Sequence, residues 1–284
     1  MLRKAKYTNH LGVTVSFNEA GSPYTLNPFN LRSYNAAANV MSDRITGFSY
    51  GSVKNIGINI GVVGGSAEET ATNYDYLASL FESDVLAVLP GTLEINGYSI
   101  KCYISGLTPQ SSFKRGKEAI AAVITDNLLW YKELFTVKYT PDNQIILDSE
   151  LENLNKLTYP HDFPYAFATD ITVKKIDNPA LHPAHFRLII EGPAMSPTIT
   201  IGGHIYSVDV SVSEGSRLII DSRASTITLT DANGISVNVF DKRNRESDVF
   251  EKIPTGTSRV QFGQAIEKFY LTLIDERSYP QWST

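Results

Sequence analysis

The segment 196–240 alternates apolar and polar residues along almost its whole length, and a period of two admits only half-buried β-strands. Ile199 and Ile201 flank Thr200. Tyr206, Val208, Val210 and Val212 alternate with Ser207, Asp209 and Ser211, and Leu218 and Ile220 follow Glu214-Gly215. Ile227 and Leu229 sit among Thr226, Thr228 and Thr230, and Asn233-Gly234 separates them from Ile235, Val237 and Val239. Asn-Gly between two such runs predicts a type I′ hairpin, because both residues tolerate positive φ. The segment is expected to be an antiparallel meander with one wet face. That pattern suits a packing or binding module better than a Rossmann-like core.

The first half carries the same period with one interruption. Val13, Val15 and Phe17 alternate, as do Ile56, Ile58, Ile60 and Val62. Leu93 and Ile95 enter a second Asn-Gly pair, Asn96-Gly97, from which Ile100, Cys102 and Ile104 lead out; Ile120, Ala122 and Ile124 predict a further strand. Between them, Tyr74, Leu77, Ala78 and Phe81 recur at helical spacing within 68–88. Ser66 is the expected N-cap, Glu68 and Glu69 favour the positive end of the helix dipole, and Pro90-Gly91 stops the segment. The pattern breaks at 140–164, where Pro141-Asp142-Asn143, a short run of Leu147, Leu151 and Leu154, and Tyr159-Pro160 place the expected domain junction.

With 284 residues the chain has room for two domains. Its net charge of −5 disfavours nucleic-acid binding through a basic face. The cluster Lys242-Arg243-Asn244-Arg245 reads as a solvated turn. A single cysteine, Cys102, excludes an intrachain disulfide and reads as a small buried hydrophobe. Residues 1–10 lack the apolar stretch of a signal peptide, and no run nears the ~20 apolar residues of a membrane span. Synthesis and retention in a reducing cytoplasm, or release by lysis, are expected.

Four groupings invite a chemical reading. Gly47-Phe48-Ser49-Tyr50-Gly51 matches a nucleophile elbow, but an alternating strand follows it instead of a helix, so a turn entering a strand is expected. His182 and His185, with Asp177 upstream, are too few and too loop-bound for a zinc site, and His161 and His204 are remote in sequence. Gly61-Val62-Val63-Gly64-Gly65 precedes a helix as a phosphate loop does, without the Lys-Ser/Thr pair that would reach the phosphates. The acidic pairs Glu68-Glu69 and Asp275-Glu276 have no partner carboxylate across a cleft. The aromatic groups Tyr159, Phe163, Tyr165 and Phe167, and Tyr279 with Trp282, read mainly as packing.

Ile176-Asp177-Asn178-Pro179-Ala180 leads through Pro183-Ala184 into the run 186–191. Gly192-Pro193, the run 197–201 and the run 206–213 follow. Glu214-Gly215-Ser216-Arg217-Leu218-Ile219-Ile220-Asp221 and later Ile253-Pro254-Thr255-Gly256-Thr257 complete the order. Over 171–273 this order resembles the C-terminal domain of the distal tail protein (Dit) family of long-tailed phages and prophages, and the first half agrees in its order of elements. The resemblance implies a mainly β chain with an α+β, belt-like N-terminal domain holding one helix (1–150). It also implies a galectin-like antiparallel β-sandwich, related in fold to carbohydrate-binding modules, at the C-terminus (151–284).

The implied role is structural, in a phage tail tip or baseplate: a homohexameric ring joining the tail tube to the tail-tip or host-adhesion apparatus. Implied partners are the tail tube protein and tail-associated hub, lysin or receptor-binding proteins, with no membrane insertion. Synthesis in the bacterial host cytoplasm and residence in the virion tail go with that role. So do the lack of enzymatic activity, of catalytic, cofactor-binding or metal-binding residues, and of any cofactor. A glycan-binding module contacting host cell-surface saccharides is the alternative.

Overall fold

The computed structural model describes residues 4–32, 36–49, 54–113, 116–147, 174–263 and 265–280. They fall into two compact units, Met1–Lys132 with Glu276–Thr284, and Glu133–Asp275. Within the expected junction, Thr140 and Asn143 close a turn through the Thr140 N–H and the Asn143 carbonyl, 2.9 Å apart. Gln144–Ile146, also within it, form a short strand, while 148–173, with Leu151, Leu154 and the aromatics Tyr159, Phe163, Tyr165 and Phe167, lie outside the described residues.

The first unit contains β1 (Ala5–Thr8), β2 (Thr14–Phe17), β3 (Tyr24–Asn27), β4 (Ala37–Met41), β5 (Arg44–Ser49) and β6 (Lys54–Val63). Helix α1 (Ala67–Ala87), β7 (Gly91–Ile95), β8 (Tyr98–Phe113), β9 (Gly116–Thr125) and the start of β10 (Trp130–Tyr139) follow. All pairings are antiparallel; beside the β4–β5 hairpin and the β8–β10 pair they form two series that share β8, β2-β1-β7-β8 and β8-β9-β6-β3. One long strand serves both because its register with β9 shifts at Ile104/Gly106 and again at Pro109/Ser111. Such bulges bend and twist a strand.

Asn96 and Gly97 both have positive φ, 54° and 78°, and Ile95 pairs directly with Tyr98, as the type I′ expectation requires. Ser66 caps α1, its hydroxyl accepting the Glu69 N–H at 3.1 Å. Leu77, Leu80 and Phe81 enter a core with Ile58, Ile60, Leu93 and Ile95. Each such side chain contributes roughly 1.5–3 kcal/mol on burial. Strand β9 forms where Ile120, Ala122 and Ile124 placed it, yet its buried face is Ala119, Ala121 and Val123. Helix α1 packs over β6, β8 and β9, and the short alanines are the side chains buried there.

The second unit holds the rest of β10, β11 (Gln144–Ile146), β12 (Lys175–Asn178), β13 (His185–Glu191), β14 (Ala194–Met195) and β15 (Thr198–Ile201). It continues with β16 (His204–Ser207), β17 (Ser211–Val212), β18 (Arg217–Asp221), β19 (Thr226–Thr230), β20 (Ser236–Asn238), β21 (Gly256–Phe262) and β22 (Lys268–Arg277). One sheet runs β11-β10-β22-β13-β18-β19-β20 and another β12-β21-β15-β16. Their inner faces meet in a single core, with Phe186 edge-on to Tyr206 at 5.1 Å and Phe262 edge-on to Phe269 at 4.8 Å. Two antiparallel sheets face to face make a sandwich. The described residues are mainly β with one α-helix, as expected.

The single meander expected over 196–240 is corrected. Strands β15 and β16 belong to one sheet, β18 to β20 to the other, and β17 pairs with β14. Alternation fixes which side of a strand is buried but not which sheet the strand joins. The Asn233-Gly234 turn is also corrected. Only Gly234 has positive φ (84°), and Thr230 pairs with Ser236 across a wider loop. The Asp231 carboxylate accepts the N–H groups of Asn233 at 2.9 Å and Ile235 at 2.8 Å, an Asx arrangement that replaces the tight turn. Ile235, just before the edge strand β20, and Val237 on it are 63% and 56% exposed.

Candidate assembly surface

Strands β4 and β5 form a hairpin that pairs only with itself among the described residues. Ser42 and Asp43, at φ 51° and 59°, make its turn, and Met41 pairs with Arg44. The register shifts between Asn39 and Val40, and the Thr46 hydroxyl donates to the Asn39 carbonyl at 3.1 Å. Every residue of β4 is exposed. Val40, Met41, Ile45 and Phe48 are 63–68% exposed. A lone two-stranded hairpin is marginal in water, and a cluster of exposed apolar side chains marks a surface that another surface covers.

A second group of exposed apolar residues lies at the far end of α1. Tyr7 donates its hydroxyl to Asp84 Oδ2 at 2.5 Å, and both side chains are buried. Asp84 Oδ1 accepts the His10 backbone N–H at 2.9 Å and lies 2.5 Å from His10 Nδ1. Asn9 Nδ2 donates to the Ser83 hydroxyl at 3.2 Å, while Asn9 Oδ1 accepts the N–H groups of Leu11 and Val13. Burial, then the bond to Asp84, raise the Tyr7 hydroxyl well above its ordinary pKa. The knot fastens the 9–13 turn to the last turn of the helix. Leu11, Leu86 and Val88 on those two segments are 70–77% exposed, with Leu89 beside Val88 in the chain also exposed.

The residues singled out from sequence do not converge. Ser49 ends β5, and the next described element is the strand β6; Tyr50 and Gly51 lie outside the described residues. His182 Nε2 lies 3.2 Å from the buried Asp275, His185 Nδ1 lies 3.1 Å from the Ser222 hydroxyl, and Asp177 accepts from Thr257 at 3.0 Å. His204 Nε2 lies 2.7 Å from the Asp248 carbonyl, and His161 lies outside the described residues. Among the described residues no three His, Cys, Asp or Glu are grouped to hold a metal ion.

At the start of α1, Glu69 Oε2 accepts the Gly65 N–H at 2.6 Å, so the helix's own carboxylate stands where a phosphate would. Arg243 lies over the Phe240 ring at 3.9 Å and donates to the Phe240 carbonyl at 3.1 Å, consistent with a surface turn. Cys102 is buried, and burial pushes its thiol up to about 12. Tyr279 falls in the first unit; Trp282 lies outside the described residues.

Sequence reading missed both apolar surfaces. The bulge at Asn39/Val40 disrupts the period of β4, and Tyr7, His10 and Asp84 are too distant in the chain for spacing to link them. Ser42-Asp43 between Val40-Met41 and Ile45 was the available signal for the hairpin.

No protein-family profile matches the chain, and no curated protein resembles it in sequence. Solved structures do resemble it. A chain of the phage P2 baseplate in its activated conformation with Ca aligns with a TM-score of 0.58 at 15% identity, over 99% of this chain and 100% of that one. The same baseplate with Sr gives the same values. SPP1 Dit (gp 19.1), described as a paradigm of the hub adsorption apparatus in phages infecting Gram-positive hosts, aligns with a TM-score of 0.57 at 9% identity, over 96% of this chain and 99% of that one. The chain therefore has a Dit-like fold across nearly its whole length.

Proposed function

We propose that the chain is a structural component of a phage tail tip or baseplate, assembling as a homohexameric ring. The ring joins the tail tube to the tail-tip or host-adhesion apparatus. The N-terminal module (1–150) forms it, and the C-terminal galectin-like sandwich (151–284) faces outward toward hub, lysin or receptor-binding proteins. The protein acts in the virion tail after synthesis in the host cytoplasm, and carries out no catalysis.

The observation that carries this reading is the self-paired hairpin Ala37–Ser49, whose apolar side chains are left to water. Such a surface, in a chain with the fold of baseplate and hub proteins, is suited to contact a neighbouring subunit. A subunit contact that uses different patches on its two sides closes into a ring when the rotation between copies permits.

The test is the mass of the full chain in solution by light scattering, with negative-stain imaging of the same sample. A mass near six subunits and ring-shaped particles are expected. A monomer under every condition overturns the proposal.

A further inference from the structure

We infer that a polar cup at one end of the second unit's sandwich binds a neutral, hydroxyl-rich ligand, a saccharide ring. The cup belongs to the second unit alone and stands whether or not the chain forms a ring.

Its volume is about 320 Å³, and it lies where the β13–β14, β17–β18 and β19–β20 loops meet. That is the lower end of the ~300–1,000 Å³ range of small-ligand pockets. Strand register brings the loops together. Glu191 pairs with Arg217, and Arg217 pairs with Thr230, the residue before Asp231. The Gly192 N–H donates to the Ser216 carbonyl at 2.9 Å, and the Ser216 N–H to the Ser213 carbonyl at 3.0 Å. Gly192 and Gly215 keep the floor clear of side chains. A methyl at Gly192 would run into the Ser213 carbonyl oxygen, and Gly215 has φ 75°. The walls are therefore fixed backbone, and a fixed site loses little freedom on binding.

The polar groups decide the class of ligand. Asp231 Oδ1 accepts the N–H groups of Asn233 and Ile235, which hold the carboxylate in place and leave Oδ2 to accept from outside. Arg217 is exposed at the cup, and among the described residues its guanidinium makes no ion pair. Glu191 is paired with Lys268. Arg217 and Lys268 against Glu191 and Asp231 sum to 2 − 2 = 0, so the site as a whole attracts neither anions nor cations. A metal ion would need a further carboxylate or imidazole, and no such grouping occurs among the described residues. A hydroxyl both donates and accepts. Adjacent hydroxyls of a sugar ring can donate to Asp231 Oδ2 and accept from Arg217, and bonds to charged partners are the stronger kind. No aromatic ring lines the cup, so these bonds rather than stacking hold the ligand. Two of them correspond to a Kd of ~1 mM.

The test is saturation-transfer NMR of the full chain with the methyl glycosides of glucose, galactose and N-acetylglucosamine, each at ~10 mM, about ten times that Kd. Transfer to the ring protons of at least one is expected. Asp231→Asn keeps an oxygen for the two N–H groups but replaces the outward acceptor by a donor, and Arg217→Ala removes an exposed side chain. Each should weaken binding by about tenfold or more while the urea midpoint stays unchanged. No transfer to any of the three glycosides overturns the inference. Transfer that either variant leaves unaltered also overturns it, because the ligand then sits elsewhere. Displacement of the glycoside by inorganic phosphate overturns it too, because the cup is then an anion site. None of these outcomes bears on the ring, whose own test is the particle mass.

Discussion

Two hairpins in the first unit share one kind of turn and have opposite fates. The β7–β8 hairpin turns at Asn96-Gly97 and the β4–β5 hairpin at Ser42-Asp43, and all four residues have positive φ. Leu93, Ile95, Ile100 and Cys102 of the first hairpin are buried beneath α1 and its neighbouring strands. Val40, Met41, Ile45 and Phe48 of the second remain in water. Turn chemistry thus decides that a hairpin forms, whereas the neighbours decide what its apolar face is for. One hairpin contributes to the stability of the unit, and the other is available to a partner.

That contrast breaks if truncation in the two hairpins costs the same. Leu93→Ala is expected to cost about 2–5 kcal/mol, because it empties a fully buried site. Denaturant unfolding measures it. Gly91→Ala, at the start of the same hairpin, should cost about 1–3 kcal/mol. Its added methyl would collide with the Tyr7 hydroxyl and the Asp84 carboxylate. Tyr7→Phe keeps the ring but removes the hydroxyl that donates to the buried Asp84, and should cost about 1–3 kcal/mol by the same measurement.

Alkaline pH sharpens the comparison on the buried side alone. Burial raises the Cys102 thiol from its ordinary 9.0 to about 12. Between those values the unfolded chain has lost the proton that the folded chain keeps, so stability falls as pH rises above about 9. Buried Tyr7, Tyr139 and Tyr206 shift in the same direction from 10.0, chiefly through desolvation. Unfolding in urea at pH 8 and pH 10 should differ by about 1 kcal/mol from Cys102 alone. Cys102→Ala should remove that part of the difference.

The strands were legible wherever a period of two ran unbroken, as in Ile56 to Val62 or Leu218 with Ile220. Their partners were not, because alternation records a buried side and not a neighbour. Hence 196–240 read as one meander although its strands divide between sheets. The faces of β9 show a second limit: Ile120 looks like a core residue, but it is alanine that fits under α1. Asp231 shows a third, since a carboxylate upstream of Asn-Gly redirected the turn. The candidate surface was hidden for a related reason. Its apolar residues are grouped without a clean period, and the contacts at the far end of α1 join residue 7 to residue 84.

The smallest effect on stability is expected where the effect on assembly is greatest. Phe48→Asp in β5 removes an exposed side chain from a hairpin that lends little to the core, so the unfolding free energy should change by no more than about 0.5 kcal/mol. The same change places a charge in the face proposed to meet another subunit, where desolvating an unpaired carboxylate is costly. Light scattering should therefore report smaller particles while circular dichroism and the urea midpoint stay at wild-type values. If Phe48→Asp instead unfolds the chain as readily as Leu93→Ala, the hairpin is part of the unit's own core and the contrast between the two hairpins fails. If it leaves both stability and particle mass unchanged, the hairpin is not an assembly surface.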